Sequence, residues 1–375
     1  MLRFVLVLFA LASYLQVMQK SGSADISGRG ARSNESSRYD REKRTEFDDG
    51  WDIPEDVPRL RTEIIRDATR QIITRNTSPD ISFNQSINPY RGCEHGCIYC
   101  FARPTHAYLG MSPGLDFESK LFVKPEAARL LAEELRHPSY KPQIIAIGTN
   151  TDPYQPVERE LRVMRSVLTV LWEFRHPVSV VTKSALIVRD LDILGPMAGE
   201  GLTKVFLSIT TLDRRLARIM EPRAATPEKR LHALRELAGA GVPCGVMTAP
   251  MIPALNDAEM EDLLAAAATA GATEAGYTLL RLPFEIKDLF REWLESELPD
   301  RARHVMSLIR SMRGGKDYDS EWGKRMTGTG PYAELMAQRF RLAVSRLGLN
   351  RQRARLDCTK FRPPPQAGDQ LGLFG

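Results

Sequence analysis

Three of the chain's five cysteines fall within eight residues, in the segment Asn88-Pro-Tyr-Arg-Gly-Cys93-Glu-His-Gly-Cys97-Ile-Tyr-Cys100. This C-x3-C-x2-C spacing constrains the fold more than any other feature. The polar, glycine-bearing surroundings do not read as core. Five cysteines in 375 residues do not make a disulfide framework either, so the crowding points to metal or redox chemistry in a reducing compartment. Three thiolates on one short loop can wrap an iron–sulfur cubane and ligate three of its four irons. The fourth iron then stays open, and an open coordination position marks a catalytic rather than a structural metal. Gly92 and Gly96 let the loop bend tightly. The alternative is zinc, with His95 or a distant cysteine as fourth ligand. Zinc sites favour paired C-x2-C units, whereas Cys244 and Cys358 are single and far apart.

Around this loop the composition, 43% hydrophobic and 26% charged, is that of a folded globular chain. Residues 1–20 open with an apolar run, Phe4 to Ala12, too short to span a bilayer. Ala10-Leu11-Ala12 resembles a signal-peptidase site. Iron–sulfur proteins are normally assembled inside the cell, and no twin-arginine signal is present. We therefore read a start assigned too far upstream, with Met18 or a later start codon as the true one, and a cytoplasmic protein; a signal peptide is the alternative. Residues 21–79 read as a polar, flexible N-terminal arm. Its Arg29, Arg32, Arg38 and Arg41 suit nucleic acid, although Glu35, Asp40 and Glu42 interleave.

From residue 80 short apolar runs alternate with helical stretches. Strands are expected near Ile87 and at Ile144–Ile147, Val178–Val181, Val205–Leu207, Val246–Met247 and Tyr277–Leu280. Helices are expected over 124–136 and 158–174 and around Leu231, Leu234 and Leu237, with a capping box at Asn256-Asp-Ala-Glu259. About six strand–helix units over 80–285 imply an α/β fold, a partial (β/α)6 barrel of the TIM type. Residues 286–361 read as a helical C-terminal extension and 362–375 as a Pro-rich tail. In such a barrel active residues sit at strand C-terminal ends, where Lys183, Ser208 and Arg281 fall.

The cysteine spacing, with Tyr99 just before the last cysteine, resembles the radical S-adenosylmethionine (SAM) superfamily. Tyr90-Arg-Gly-Cys, Thr151-Asp-Pro-Tyr-Gln-Pro-Val-Glu158, Thr182-Lys-Ser184, Glu221-Pro-Arg223 and Leu280-Arg-Leu-Pro283 are similar to its spore photoproduct lyase-like branch. The resemblance spans roughly residues 28 to 365. It implies a [4Fe-4S] cluster on Cys93, Cys97 and Cys100 and SAM on the open iron. One electron from a flavodoxin or ferredoxin then cleaves SAM to methionine and a 5′-deoxyadenosyl radical, which abstracts hydrogen from a substrate. It also implies Tyr99 near the adenine, Thr151 and Asp152 at the methionine amino group, and Lys183 and Ser208 at the carboxylate or ribose. Arg223 and Arg281 are candidates for an anionic substrate; Arg223 could equally pair with Glu221 or Asp213.

Two departures matter. Spore photoproduct lyase relies on a further cysteine near its second-strand motif as hydrogen donor, but the stretch here reads Gly148-Thr-Asn-Thr-Asp152, which argues against thymine-dimer reversal. The chain also ends Gln370-Leu371-Gly-Leu373-Phe374-Gly, resembling the peptide that docks repair proteins on the DNA sliding clamp. The expected activity is therefore radical chemistry on an unidentified substrate, with nucleic acid the leading class and a protein, peptide or metabolite the alternative. A non-catalytic, metal-bearing DNA-binding module is the third reading.

Overall fold

The computed structural model describes residues 28–40 and 60–365. Its strands are β1 (Glu63–Arg66), β2 (Ile73–Arg75), β3 (Gln85–Ile87), β4 (Tyr90–Arg91), β5 (Lys120–Val123), β6 (Ile145–Ile147), β7 (Val178–Thr182), β8 (Thr203–Ser208), β9 (Cys244–Met251) and β10 (Glu274–Leu279). The main sheet runs β10-β9-β8-β7-β6-β3-β2. Its six strands from β3 to β10 are parallel, and β2 joins the edge antiparallel to β3. The sheet stays open between β10 and β2, so the molecule is a mixed α/β partial barrel.

Parallel strands covered by helices become continuous apolar core. Ile145, Ile147, Val178, Val180, Val205, Leu207 and Val246 are all fully buried. Each such side chain contributes about 1.5–3 kcal/mol on burial. The helix Ala127–Arg136 buries Ala127, Leu130, Leu131 and Leu135 on the face its periodicity indicated. The stretch 158–174 is instead two helices, Glu158–Leu161 and Val163–Glu173, broken where Arg162 takes φ +53°. The break has a cause: the buried Glu158 carboxylate turns to accept from the Met164 and Arg165 amides, capping the second helix.

Two expectations need correction. Asn256 caps nothing: its fully buried amide accepts from Ile252 N and donates to Thr210 O and Pro250 O, tying loops together at strand ends. Glu259 turns away as well, to Thr211 and Leu212. The polar arm also holds structure that its composition hid. β1 pairs with β5, and β5 with β4, as a small second sheet. Residues 29–31 are buried.

In the C-terminal extension, the helix Ile286–Glu297 packs Ile286, Phe290, Trp293 and Leu294 into a cluster with Cys97, Ile98 and Tyr99. The helix Pro331–Leu347 lies over the β10 edge, where Tyr277 and Phe340 rings sit 4.6 Å apart. Asn350 then satisfies the exposed edge, accepting from Ala275 N and donating to Ala275 O, which blunts it against pairing with another chain. Beyond it Phe361 stacks on Tyr140, Phe174 and His176 at the base of the barrel. No helix among the described residues is long and apolar enough to cross a membrane. The apolar leader, Arg41 and the clamp-like residues Gln370, Leu371, Leu373 and Phe374 lie outside the described residues.

Candidate active site

The cysteine loop leaves β4 at the mouth of the barrel, where the parallel strands end. Its three thiols are unpaired. Cys93 is anchored by its amide to Phe117 O, and short turns run from Gly96 N to Cys93 O and from Cys100 N to Cys97 O. Gly96 takes φ +66°, and a Cβ there would sit 2.7 Å from Glu118 Oε2. Gly30 approaches closer still: its Cβ would meet Gly96 O at 1.8 Å.

Arg103 organises this loop from beneath. Fully buried, it donates to Cys97 O, Gly96 O, Pro113 O and Gly114 O and pairs with Glu118. Glu118 accepts in turn from the Gly30 and Ala31 amides, and Arg29 donates to Glu118 O and Leu60 O. Arg32 pairs with Glu297 and Arg38 with Glu285. These arm arginines, expected to be free for nucleic acid, are thus committed to the protein. Glu118 and Arg103 escaped the sequence reading because carboxylate and guanidinium lie fifteen residues apart without a motif.

Burial pushes the Cys93 thiol well above its usual range, and pushes Cys97 up to about 12 although Lys183 offsets part of the effect. The positive charge of a bound metal is what would deprotonate them. Among the described residues no three His, Cys, Asp or Glu side chains are arranged to hold a single ion. Thiols spread along one loop fit a multi-iron cluster, in which each takes its own iron. His95, the fourth ligand of the zinc alternative, turns Nδ1 toward Asp152 at 3.4 Å.

The neighbouring strand ends bring opposite charges to the loop. After β6, Gly148 turns with φ +89°; a Cβ there would lie 1.9 Å from Val181 O, so only glycine lets this segment approach β7. Asp152 follows. Its Oδ1 accepts from Tyr154 N (2.9 Å) and Thr182 Oγ1 (2.7 Å), and its Oδ2 accepts from Lys183 N (2.7 Å) and faces His95. Burial alone would raise its pKa, but His95 and these donors outweigh it and hold it at about 2. Three hydrogen bonds and the facing His95 engage the carboxylate, so Asp152 joins β6, β7 and the cysteine loop. Thr151 is likewise engaged, donating to Tyr90 O at 2.8 Å.

Lys183, at the end of β7, is the opposite case. Its Nζ lies 5.7 Å from the Tyr99 ring centroid, and no hydrogen bond or ion pair reaches it among the described residues. Burial lowers its affinity for a proton, but Cys97 and Glu221 prevail, and its pKa is raised. An ammonium of this kind fits a carboxylate ligand.

Behind Tyr99 lies a buried chain of polar groups. Tyr99 OH donates to Glu221, which also accepts from Thr210 Oγ1 and pairs with the buried Arg230. Arg230 donates to Ser208 O and Ala225 O. Despite burial, Arg230, Lys183 and Tyr99 hold the Glu221 carboxylate at about 2. Ser208, expected to face the ligand, is buried with its hydroxyl on Ala249 O. Arg223 pairs with Glu94 at 3.0 Å, not with Glu221 or Asp213. Arg281, at the end of β10, stacks over Phe101 at 4.4 Å.

The sequence profile of the radical SAM superfamily matches residues 87–267, which carry the cysteine loop and most of the barrel. An uncharacterized protein of Mycobacterium tuberculosis is 38% identical over 232 residues, covering 61% of this chain and 68% of that one. An uncharacterized protein of Methanocaldococcus jannaschii is 28% identical over 199 residues, 53% of this chain and 71% of its own. The chain belongs to the radical SAM superfamily.

As a radical SAM enzyme it shares a fold with spore photoproduct lyase. The lyase complexed with dinucleoside spore photoproduct superposes with TM-score 0.56 at 17% identity, covering 76% of this chain and 80% of that one. Membership sets aside the non-catalytic module. It also gives meaning to Glu221, which the sequence showed only as part of Glu221-Pro-Arg223: the radical SAM loop rests on a buried carboxylate whose partner, Arg230, lies nine residues on.

Proposed function

We propose that Cys93, Cys97 and Cys100 hold a [4Fe-4S] cluster with SAM at its open iron, and that the enzyme abstracts hydrogen from a nucleic-acid substrate at the barrel mouth. The observation that carries this reading is one loop bearing three unpaired thiols, two of them buried, next to a lysine ammonium that no hydrogen bond or ion pair reaches among the described residues. When bound, the cluster and SAM supply a hydrogen-abstracting carbon radical at the cost of one electron from an external reductant. Lys183 holds the methionine carboxylate, which is why its ammonium is left unpaired. Tyr99, fixed by Glu221, presents its ring beside that lysine. Asp152 positions the ligands through His95 instead of binding SAM itself. The C-terminal helices exclude water from the far side of the loop.

The nucleic-acid reading is supported by the net charge of +5 and by the shared fold with a lyase solved with a dinucleoside photoproduct. An electron donor of the flavodoxin or ferredoxin type and a cytoplasmic setting belong to the same proposal, as does docking of Gln370–Phe374 on a sliding clamp. The test is anaerobic reconstitution and an assay of 5′-deoxyadenosine release from SAM after dithionite reduction. Release by the wild type and none by Cys97→Ala is expected. Bound zinc with no release would overturn the assignment.

A further inference from the structure

We propose that the rim of the barrel mouth is a stacking platform for single-stranded nucleic acid, built from Phe101, Tyr108, Tyr39, Phe284 and Arg281. This rests on the nucleic-acid reading above and names the form of substrate and where it lies. Large apolar side chains are exposed at few places in the described residues, and four aromatic ones fall into two groups, Tyr39, Tyr108 and Phe284 around Arg38 and Phe101 under Arg281. Phe101 follows Cys100 directly, and Tyr108 sits in the short helix Arg103–Leu109 that leaves the loop. Phe284 lies in the loop after β10, and the Tyr39 ring is 5.4 Å from that of Tyr108.

Their faces are prepared in two ways. The Arg38 guanidinium lies 4.7, 5.2 and 4.4 Å from the centroids of Tyr39, Tyr108 and Phe284, with its charge met by Glu285. Three rings are thereby fixed around a neutralised centre while remaining 56, 69 and 61% exposed. Phe284 moreover has φ +54°, a left-handed backbone that a bulky residue adopts only against its preference. Its ring is held outward at the expense of local strain.

Arg281 supplies the charge. It stacks on Phe101, itself 45% exposed, and among the described residues no hydrogen bond or ion pair reaches its guanidinium. Tyr318, Asp80 and Cys100 act on it electrostatically, and the one carboxylate among them, Asp80, is already bound to Arg325 and Gly323 N. Arg281 therefore keeps a planar fork of N–H donors suited to a phosphate. Arg281 and Phe284 lie three residues apart in one loop, which ties the two aromatic groups together along the chain. A recess lined by Glu35, Glu285 and Asp288 opens beside Phe284 and disfavours phosphate, which leaves Arg281 as the phosphate-binding side of the platform. Exposed rings with an unmatched cation match bases whose faces are free, as they are in a single strand and are not in a duplex.

The test uses the reconstituted enzyme under anaerobic conditions and a fluorescent oligothymidine, single-stranded or annealed, read by anisotropy. The single strand is expected to bind at least about tenfold tighter than the duplex. Phe101→Ala and Phe284→Gly should each weaken it about five- to tenfold, the lower part of the range for one stacked base. Phe284→Gly relieves the left-handed backbone, so its melting temperature should not fall, and weaker binding cannot then be assigned to misfolding. Arg281→Met should reduce the salt dependence by about one phosphate contact. Equal binding by wild type and both aromatic variants would overturn the platform and leave the nucleic-acid reading standing. Tighter binding of the duplex overturns the platform too. If neither oligonucleotide binds while SAM is cleaved, both readings fall and an aromatic-rich protein interface becomes the better account.

Discussion

At the mouth of the barrel Asp152, Glu221, Arg230 and Lys183 are gathered beside the cysteine loop; at the base, where the same strands begin, the one titratable ring of His176 is packed among Tyr140, Phe174 and Phe361. Both ends are shielded from water, yet they solve burial differently. The mouth keeps its charges: Asp152 faces His95 and Glu221 pairs with Arg230, while Lys183 keeps an ammonium that no ion pair reaches among the described residues. The base instead neutralises its histidine: burial lowers His176 to about 4, and its nitrogens meet Tyr140 OH and Pro177 O. Burial therefore costs the mouth electrostatic fragility and costs the base only acid sensitivity.

The largest effect should come from breaking the mouth. Arg230→Leu leaves Glu221 buried without its partner and should destabilise the fold by about 3–5 kcal/mol in urea unfolding. A loss below about 1 kcal/mol would falsify the view that this pair is electrostatically tight.

Acid separates the two ends next. With His176 at about 4 in the folded chain and 6.5 in the unfolded one, the unfolded chain binds more protons between these values. The stability from the neutral ring is complete above pH 6.5 and is lost as pH falls toward 4. It amounts to about 3 kcal/mol. Asp152 and Glu221, held at about 2 against 3.8 and 4.5, keep their contribution down to those ordinary values and lose it only as pH falls toward 2. Unfolding at pH 5 should therefore report buried histidines rather than these carboxylates; His106 beside the cysteine loop is also lowered by burial, so His176→Gln should flatten part of the stability profile between pH 6.5 and 4. An unchanged slope in the variant would assign the acid sensitivity to other groups.

Phe361→Ala at the base should cost about 2 kcal/mol, below the range for a fully buried phenylalanine because Phe361 is half-buried. SAM binding should not change. Lys183→Met is the converse and the smallest in energy. Stability should fall by about 1 kcal/mol, well short of Arg230→Leu, because Lys183 has no bond to lose but its charge helps keep Glu221 ionised. The affinity for SAM, measured by equilibrium dialysis on the reconstituted enzyme, should fall about tenfold, near 1.4 kcal/mol. A Lys183 variant that melts early while binding SAM normally would invert the comparison.

Much of this was legible without coordinates. The six parallel strands lie where apolar runs interrupt helical periodicity, because side-chain periodicity reports directly which faces are buried. The cysteine loop was readable because its ligands are local in sequence. Asp152 and Lys183 were found by their position at strand ends, but their opposite states were not, since the partners of Asp152 include the Thr182 hydroxyl and His95, which come from two other segments of the chain. Arg223 was misassigned for the same reason: Glu94 is 129 positions away in the chain and adjacent in space. The packing of residues 28–40 was missed because polar composition signals disorder only when nothing charged awaits it, and here Glu118, Glu285 and Glu297 do.

By itself the sequence determined the class of chemistry and the barrel, since both rest on short-range patterns: three thiols on one loop, and apolar residues at the spacing of strands and helices. Tertiary structure alone decided which charges are satisfied. Coulomb and hydrogen-bond partners are chosen by proximity in space, and a low-dielectric interior makes those choices energetically decisive. That is why it distinguishes Asp152 as a brace from Lys183 as an open hand, and places Arg281 among exposed rings.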